Sequence, residues 1–308
     1  MPILTIATRE SALALWQAEF VAQRLREIDS ALEVRLLGMT TKGDQWLNSP
    51  LSEVGGKGLF VKELEQAMAA GDAHLAVHSC KDLPAQLPPG FELIATGYRA
   101  DVRDALVSPR YASFDALPLG ARVGTSSLRR AAQLRARRPD LVCLPVRGNV
   151  GTRLGKLDAG EFDALILAAA GLERLGLTER VTEYLATDLS LPAAGQGALS
   201  VECTTAASPA IKQWLRKLND PNVSACVTAE RAVSAGLGAD CSMPLAAYAT
   251  LAGQSLTLDG LVASADGTQI LRGRARGSVT DPLSLGREVA GQLLDQGAAE
   301  LLAASQGV

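Results

Sequence analysis

Short apolar segments alternate with amphipathic helical periods along most of the chain, and this alternation constrains the fold more than any other feature. The segment at 3–8 (ILTIAT) is typical of a strand, and a helical period follows it at 11–28. The same order restarts at 104–108 and 121–125 and continues to 163–168. Strands separated by helices form βαβ units, so the sequence predicts an α/β protein with mostly parallel sheets.

One more strand is predicted after the second βα series. The segment ALSVEC at 198–203 is expected to return to the first sheet, which would make the first domain discontinuous. The two places where the chain crosses between the domains would then act as a hinge. The expected bounds are 1–98 and 198–218 for domain 1, 103–193 for domain 2, and 98–103 and 193–197 for the crossings.

The character of the chain changes after Pro221. A predicted helix at 222–236 leads into a glycine-bearing loop that contains Cys241, and three alternating strand-like segments follow. A final helix is predicted over about 283–304. A meander of strands with two helices favours a small α+β domain at 222–308, so the predicted fold is two α/β lobes followed by this domain.

Charge and cysteine usage argue against several classes of function. The net charge is −3 at pH 7, so bulk charge does not favour nucleic acid or an anionic membrane. The five cysteines are widely spaced without a CxxC motif, which favours a reducing compartment over a disulfide framework or a zinc site. No secretion signal and no apolar stretch of membrane-spanning length are evident. We therefore expect a cytoplasmic protein with no metal.

The chain has two histidines, His74 and His78. In a strand they would share one face, but the cysteines and carboxylates around them do not form a metal-binding pattern. The sequence favours packed or surface histidines.

Arginines are concentrated in residues 122–153, which contain eight arginines and no lysine. A solvated basic face would explain them, but arginine is also the side chain that grips carboxylates and phosphates with two hydrogen bonds. Nucleic-acid binding is the weakest interpretation, because aromatic side chains are not interleaved and the total charge is negative.

The segment VGTSSLRR at 123–130 predicts a strand followed by the start of a helix. Free backbone N–H groups and the helix dipole favour an anion at such a position. Arg129 and Arg130 fall in the first turn, where cations oppose the dipole, so an anionic ligand would correct a local mismatch.

The segment HSCKDLP at 78–84 places Lys81 and Asp82 just after a predicted strand. Ligands of open parallel sheets bind at the carboxyl ends of strands. An Asx-type turn before Pro84 explains the same residues without a ligand, and the two interpretations stay open at this point.

Cys241 lies in the loop GLGADCSMP. A lone cysteine is usually a small buried apolar side chain. The flanking glycines weaken that interpretation because they provide backbone freedom and little packing, and a covalent attachment point is the alternative.

Taken together, these segments resemble the porphobilinogen deaminase (hydroxymethylbilane synthase) family almost from end to end. The matching segments include AVHSCKDLP and VGTSSLRR, together with a cysteine that follows a TAERA motif. The others are IATRES and LALWQA (6–18), GGKGLFVKELE (55–65), RGNVGTRLGKLD (147–158) and LPAAGQGAL (191–199).

The resemblance implies two lobes like those of periplasmic binding proteins, with the active site in the cleft between them. It also implies that Cys241 carries a dipyrromethane cofactor through a thioether. The implied activity is a transferase that deaminates porphobilinogen and adds four units head to tail to this primer, which releases linear hydroxymethylbilane. The implied partners are porphobilinogen and the growing oligopyrrole, without nucleic acid or membrane, and the implied state is a monomer.

The resemblance also implies roles for individual residues. Asp82 matches the catalytic aspartate, which would stabilise cationic pyrrole character through the pyrrole N–H groups. Besides Cys241, the implied cofactor-binding residues are Lys81, Thr125, Ser127, Arg129 and Arg130. The implied substrate-binding residues are Arg9, Ser11, Gln17, Lys57, Phe60, Arg147, Arg153, Arg174 and Gln196.

The sequence departs from the family pattern in a few places. Cys80 stands where the family usually has Met, Ala12 replaces a common Pro, and Asp240 precedes the cysteine where Gly is usual. A solute-binding module with the same two lobes is the alternative function. The lack of a secretion signal and the third domain with its cysteine argue against that alternative.

Overall fold

The computed structural model describes residues 2–41, 61–239 and 243–305. The strands are β1 (Ile3–Arg9), β2 (Glu33–Met39), β3 (Leu75–Ser79), β4 (Phe91–Gly97), β5 (Asp104–Val107), β6 (Arg122–Gly124), β7 (Val142–Leu144), β8 (Ala164–Ala168), β9 (Glu183–Tyr184), β10 (Leu199–Thr204), β11 (Leu245–Ala252), β12 (Ser255–Ala263) and β13 (Ile270–Ser278). The α-helices are α1 (Ala12–Ile28), α2 (Lys62–Ala70), α3 (Leu128–Arg137), α4 (Val150–Asp158), α5 (Ala169–Arg174), α6 (Pro209–Arg216), α7 (Pro221–Gly236), α8 (Pro282–Asp295) and α9 (Ala298–Ser305). Short 3₁₀ turns lie at Cys80–Asp82 and Thr178–Arg180.

The first sheet has the strand order β2-β1-β3-β10-β4. Leu4 and Ile6 of β1 point to one face, where they pack with Val21 of α1. Ala7 points to the other face and packs with Leu64 of α2. Because strand side chains alternate, both faces of this sheet are covered by helices, as expected for parallel strands.

The second sheet repeats the arrangement of the first, with the order β7-β6-β8-β5-β9. In each sheet four strands run in one direction and one runs against them, β10 in the first and β5 in the second. Each antiparallel strand is the one that enters the sheet after the chain has crossed from the other lobe. The prediction of mostly parallel sheets is therefore correct for four strands of each sheet and wrong for the strand that follows each crossing.

The two crossings lie side by side. The backbone N–H of Ala100 donates to the carbonyl of Gly197 at 3.1 Å, and Arg99 Nε donates to the carbonyl of Gln196 at 3.1 Å. The position of β10 in the first sheet supports a discontinuous first domain. The exact domain bounds remain a prediction.

The last part of the chain forms a three-stranded antiparallel sheet, β11-β12-β13, with α7 and α8 on one face. Val233, Leu258 and Val289 are fully buried between these helices and the sheet. The prediction of one final helix over about 283–304 is wrong, because α8 and α9 are separate. Gly297 lies between them with φ of 93°, a left-handed conformation that ends a helix.

The observed architecture confirms the predicted fold class of two α/β lobes and a small C-terminal α+β domain. Within the described residues, no helix has the length and apolar character needed to cross a membrane.

Candidate active site

Asp82 lies at the carboxyl end of the central strand of the first sheet. β3 is buried along almost its whole length and then passes into the 3₁₀ turn that contains Asp82. Cys80 anchors this turn, since its side chain is fully buried and its N–H donates to the carbonyl of Ala198 at 3.0 Å. The turn leaves Asp82 exposed, so this carboxylate is available to a ligand.

A pocket of about 60 Å³ brings Asp82 together with three of the predicted substrate-binding residues, Arg9, Ser11 and Gln17. Arg9 ends β1, and the hydroxyl of Ser11 caps α1 by accepting a hydrogen bond from the N–H of Ala14 at 3.4 Å. Gln17 is buried in α1 and its Nε2 donates to Ser79 Oγ at 2.7 Å. The adjacent carboxyl ends of β1 and β3 explain why residues distant in sequence meet here.

Lys81 and Gln196 form a contact between the 3₁₀ turn and a crossing segment. Lys81 Nζ donates to Gln196 Oε1 at 3.2 Å. Gln196 Nε2 donates to Asp104 Oδ1 at 2.9 Å, which links the two lobes. Burial, and then the positive charge of Arg130, lower the pKa of Lys81 to about 8.

Asp104 is the centre of a buried ion cluster with Arg129 and Arg130. Arg129 Nη1 donates to Asp104 Oδ2 at 2.9 Å, and Arg130 Nη2 donates to Oδ1 at 2.7 Å. Asp104 is fully buried and the two arginines are 4% and 6% exposed. Burial alone would raise the pKa of Asp104, but the two guanidinium groups hold it well below its usual range.

This cluster corrects one argument made from the sequence. The mismatch between two arginines and the helix dipole was expected to require an anionic ligand, but Asp104 at the start of β5 already supplies the anion. Binding of a cofactor by Arg129 and Arg130 remains a prediction. The one feature of the sequence that could have indicated this ion cluster is the aspartate at the start of a strongly apolar strand, DALV.

Thr125 and Ser127 organise the start of α3. Ser127 N–H donates to Thr125 Oγ1 at 3.2 Å, and Ser127 Oγ accepts from the N–H of Arg130 at 3.4 Å. Thr125 is buried and Ser127 is half-buried. These hydroxyls cap the helix, and their predicted contact with a cofactor remains a prediction.

Arg147 and Arg153 lie around the start of α4 in the second lobe. Arg153 Nε donates to the carbonyl of Gly148 at 2.8 Å. Burial, and then the charge of Arg130, lower the pKa of Arg153 to about 10, and the Asp82 carboxylate opposes this shift. Burial also lowers the pKa of Arg147. In the described part of the chain, no carboxylate forms an ion pair with either arginine.

Arg174 lies where the lobes meet rather than in the pocket with Asp82. Its Nη2 donates to the carbonyl of Gly197 at 2.5 Å. The guanidinium carbon lies 5.7 Å from the ring centre of Trp16 and 5.8 Å from that of Tyr98. Its Nε is buried and has no hydrogen-bond partner among the described residues, and burial lowers the pKa of Arg174 to about 10. Its predicted role in substrate binding remains a prediction.

Three predicted site residues, Lys57, Phe60 and Cys241, lie outside the described residues, as does Asp240. The chain on either side of Cys241 is packed, because Ala239 and Met243 are 3% and 8% exposed and belong to the core of the third domain.

Glu230 is a further buried acid that the sequence argument missed. It is fully buried in α7 and accepts two hydrogen bonds from Arg99, at 2.8 and 3.0 Å. It also accepts from the N–H of Gly195 at 2.7 Å and from the N–H of Ala249 at 2.8 Å. One carboxylate thus joins both crossings to the third domain. Its neighbours are distant in sequence, so periodicity contained no signal for it.

Comparison with known proteins gives consistent matches over nearly the whole chain. A family model described as "Porphobilinogen deaminase, dipyromethane cofactor binding domain" matches residues 4–213. A second, described as "Porphobilinogen deaminase, C-terminal domain", matches residues 224–295.

Curated relatives match over the same length. A protein of Thiobacillus denitrificans named porphobilinogen deaminase is 57% identical over 98% of this chain and 98% of its own. One of Chromobacterium violaceum with the same name is 56% identical over 99% of this chain and 98% of its own. Among solved structures, the periplasmic VFT2 domain of BvgS from Bordetella pertussis aligns with 70% of this chain and 86% of its own, at 16% identity and a TM-score of 0.43.

Proposed function

The chain belongs to the porphobilinogen deaminase family, and from this premise we propose its reaction and the roles of its residues. The enzyme removes ammonia from porphobilinogen and joins four units head to tail on a covalent dipyrromethane primer. It then releases linear hydroxymethylbilane. One observation carries this proposal: the exposed carboxylate of Asp82 lines a pocket. It lies near Lys81 and Arg153, two cations whose pKa values are lowered by burial.

The donor groups of the site fit a ligand rich in carboxylates. Every pyrrole unit of the substrate and of the primer carries an acetate and a propionate. The pKa values of Lys81, Arg147 and Arg153 are lowered by burial, so an anion that contacts them stabilises their charged forms. The buried Nε of Arg174 adds a donor that no described residue uses. Arginine provides paired N–H donors that match a carboxylate.

We assign the holding of the primer to Cys241, Lys81, Thr125, Ser127, Arg129 and Arg130. When bound, the dipyrromethane supplies the nucleophilic pyrrole carbon to which the first unit is added. Arg129 and Arg130 have donors engaged by Asp104, so their contribution is a fixed positive potential as well as direct contact.

We assign the binding of substrate and growing chain to Arg9, Ser11, Gln17, Lys57, Phe60, Arg147, Arg153, Arg174 and Gln196. Asp82 acts on the reacting ring, where its carboxylate accepts hydrogen bonds from pyrrole N–H groups and stabilises positive charge that develops in the transition state. The 3₁₀ turn fixes its backbone, so the carboxylate needs little reorganisation during the reaction.

We further propose that the enzyme works as a monomer in the cytoplasm and binds neither nucleic acid nor membranes. The net charge of −3 supports the absence of binding to nucleic acid or anionic membranes. Light scattering of the purified protein at working concentration tests the monomer, and a dimer mass would contradict it.

Intact-protein mass spectrometry tests the proposed function. Protein from normally grown cells should carry an adduct of two pyrrole units, and peptide mapping should place it on Cys241. Cys241→Ser should lack the adduct, whereas Cys143→Ser, a change at a half-buried cysteine, should keep it. Unmodified wild-type protein that binds a carboxylate ligand without turnover would instead support a binding module.

A further inference from the structure

Three ionisable side chains, two buried and one half-buried, lie together in the first lobe and have no part in the reaction described above. They are His78 on β3, Glu202 on β10 and Glu65 on α2, and the first two are 6% and 0% exposed. β10 runs antiparallel to β3, with Ser200 opposite His78 and Glu202 opposite Ala76. Strand alternation therefore puts His78 and Glu202 on the same face, which is the face that α2 covers.

The contact between His78 and Glu202 defines the hydrogen on the imidazole. His78 Nε2 lies 2.8 Å from Glu202 Oε2. When Glu202 is ionised its carboxylate can only accept, so the ring then carries its hydrogen on Nε2. Nδ1 has no hydrogen-bond partner among the residues that the structure describes. Nδ1 is therefore the ring nitrogen that these contacts leave without a partner.

His78 is also part of the wall of the Asp82 pocket. A histidine that contacts a buried carboxylate through one nitrogen and also lines a pocket has the parts needed for general acid–base catalysis. The carboxylate fixes the tautomer and stabilises the imidazolium that forms when the ring takes up a proton.

The third member of this cluster is Glu65, whose carboxyl group lies near that of Glu202. Burial, and then the nearby Glu202 carboxylate, raise the pKa of Glu65 to about 7. Among the described residues, Glu202 Oε1 is buried without a hydrogen-bond partner. Below about pH 7 a protonated Glu65 therefore reduces the negative charge next to Glu202.

Stability is a weak reason for a buried cluster of this kind, because burying charged groups costs desolvation energy. His74 shows what a structural histidine looks like in this chain, since its Nδ1 accepts a hydrogen bond from the N–H of Thr5 at 2.9 Å. That nitrogen of His74 is occupied, whereas the same nitrogen of His78 is not.

We propose that His78 is a second catalytic residue of this site, with Glu202 and Glu65 as positioning residues. This inference rests on the proposed function. His78 Nδ1 takes the proton that a pyrrole α-carbon of the growing chain loses when a new carbon–carbon bond has formed. The electron pair of the broken carbon–hydrogen bond returns to the ring. His78 then passes the proton to the ammonia released in the same turnover, which leaves as ammonium, and the imidazole is ready for the next unit.

The protonation of His78 depends on the charges around it. The charged and titratable groups that face it or share its pocket are Glu202 from β10, Glu65 from α2, and Arg9 and Asp82 from the pocket. The acids stabilise the imidazolium that forms when His78 takes up a proton, and the positive charge of Arg9 opposes it.

Nitrogen NMR of the full-length enzyme labelled with ¹⁵N-histidine tests the tautomer. The chain has two histidines, so a His74→Gln variant leaves the signals of His78 alone. We expect a protonated Nε2 and an unprotonated Nδ1 in the neutral form, and a weaker preference for this tautomer in Glu202→Gln. A neutral His78 protonated on Nδ1 would overturn the proposal.

Kinetics test the role in catalysis. His78→Gln should lower kcat about 100-fold, which is the lower end of the range for loss of a general base. It should also remove one limb of the pH profile of kcat. His74→Gln should keep the wild-type kcat and both limbs of the profile. If His78→Gln does not fold, Glu202→Gln should show a smaller loss of kcat with a displaced limb. Loss of kcat below about twofold in every His78 and Glu202 variant would overturn the proposal.

The outcome for His78 is separable from that for the proposed function. Wild-type protein without the pyrrole adduct on Cys241 would contradict the proposed function whatever the histidine does. Wild-type protein with adduct and turnover, combined with an unaffected His78→Gln variant, would contradict the role of His78 alone.

Discussion

Asp82 differs from the buried and paired acids of the site because its side chain is exposed. Among the described residues it forms no ion pair on which the fold depends. Asp104 and Glu230 are fully buried and satisfied by arginines and backbone N–H groups. A residue whose removal costs the fold little can still dominate the reaction. The catalytic assignment of Asp82 is therefore testable by a substitution that leaves stability intact.

Asp82→Asn should reduce kcat by at least about 100-fold, because the amide cannot supply the negative charge that stabilises a cationic ring. The measurement is porphobilinogen consumption with the melting temperature as a check on folding. Asp72→Asn, at another exposed aspartate, is the matched control and should keep full activity. Near-normal turnover in Asp82→Asn would remove this residue from the mechanism.

Lys81 should impose an alkaline limit on the reaction. Its pKa is lowered to about 8, so the ammonium is charged below that pH and neutral above it. The carboxylates of the bound primer favour the charged ammonium, so we expect kcat/KM to fall at a pH above 8, where the neutral amine no longer attracts carboxylates. Lys81→Arg should move this limb upward, since arginine stays charged.

Lys62→Arg is the control for Lys81, because Lys62 is exposed at the start of α2. Lys62→Arg should leave unchanged the pH at which kcat/KM falls on the alkaline side. An unchanged limb in Lys81→Arg would mean that another group causes the loss of activity.

At the scale of elements, the contact between β5 and α3 is held by charge rather than by apolar packing alone. α3 places Arg129 and Arg130 in its first turn, and β5 opens with the aspartate that neutralises them. The ion cluster therefore fixes how the helix sits on the sheet. It also holds the two arginines at the cleft whether or not a ligand is bound.

Asp104→Asn should destabilise the protein by about 3–5 kcal/mol, because it leaves two buried guanidinium groups without an anion. Chemical denaturation measures this loss. Asp101→Asn removes the acid of a partly exposed pair with Arg103, and it should cost at most about 1 kcal/mol. Equal losses in the two variants would show that burial of the Asp104 cluster contributes little.

At the scale of the whole molecule, three bodies meet along the crossing segments. Arg174 from the second lobe donates to the carbonyl of Gly197 and lies over Trp16 of the first lobe. Glu230 from the third body accepts from both crossings. Any change in the angle between the lobes must alter these contacts, so the crossings control the width of the cleft.

Gly197→Ala tests the close approach of the crossings. Gly197 has φ of +85°, and a Cβ there would lie 2.6 Å from the carbonyl oxygen of Ala100. Gly253→Ala is the matched control, because Gly253 has φ of +61° with nothing within 4 Å of its Cβ.

Gly253→Ala should lower the free energy of unfolding by about 1–2 kcal/mol, because of backbone strain alone. Gly197→Ala should lower it by about 1–3 kcal/mol more than the control does, because the backbone of the other crossing must move. Denaturant unfolding measures both losses, and kcat/KM should fall only in Gly197→Ala. The same loss of stability in both variants would show that the crossings do not need to be this close.

The sequence by itself determined the local structure and the family of the chain. Apolar periodicity located β1, α1 and β3, because strand and helix periods are local properties. The position of Asp82 after a buried strand predicted its place at the end of a sheet. The resemblance to the family supplied the reaction, since its matching segments are contiguous.

Only the tertiary structure decided which charges meet. Asp104 neutralises Arg129 and Arg130, Glu230 joins the crossings, and His78 pairs with Glu202 across 124 residues. These contacts depend on strand order and lobe packing, and side-chain electrostatics act through space rather than along the chain. A periodic pattern cannot encode such contacts. For this reason the sequence favoured a packed or surface histidine at position 78, whereas the fold places His78 in the wall of the pocket.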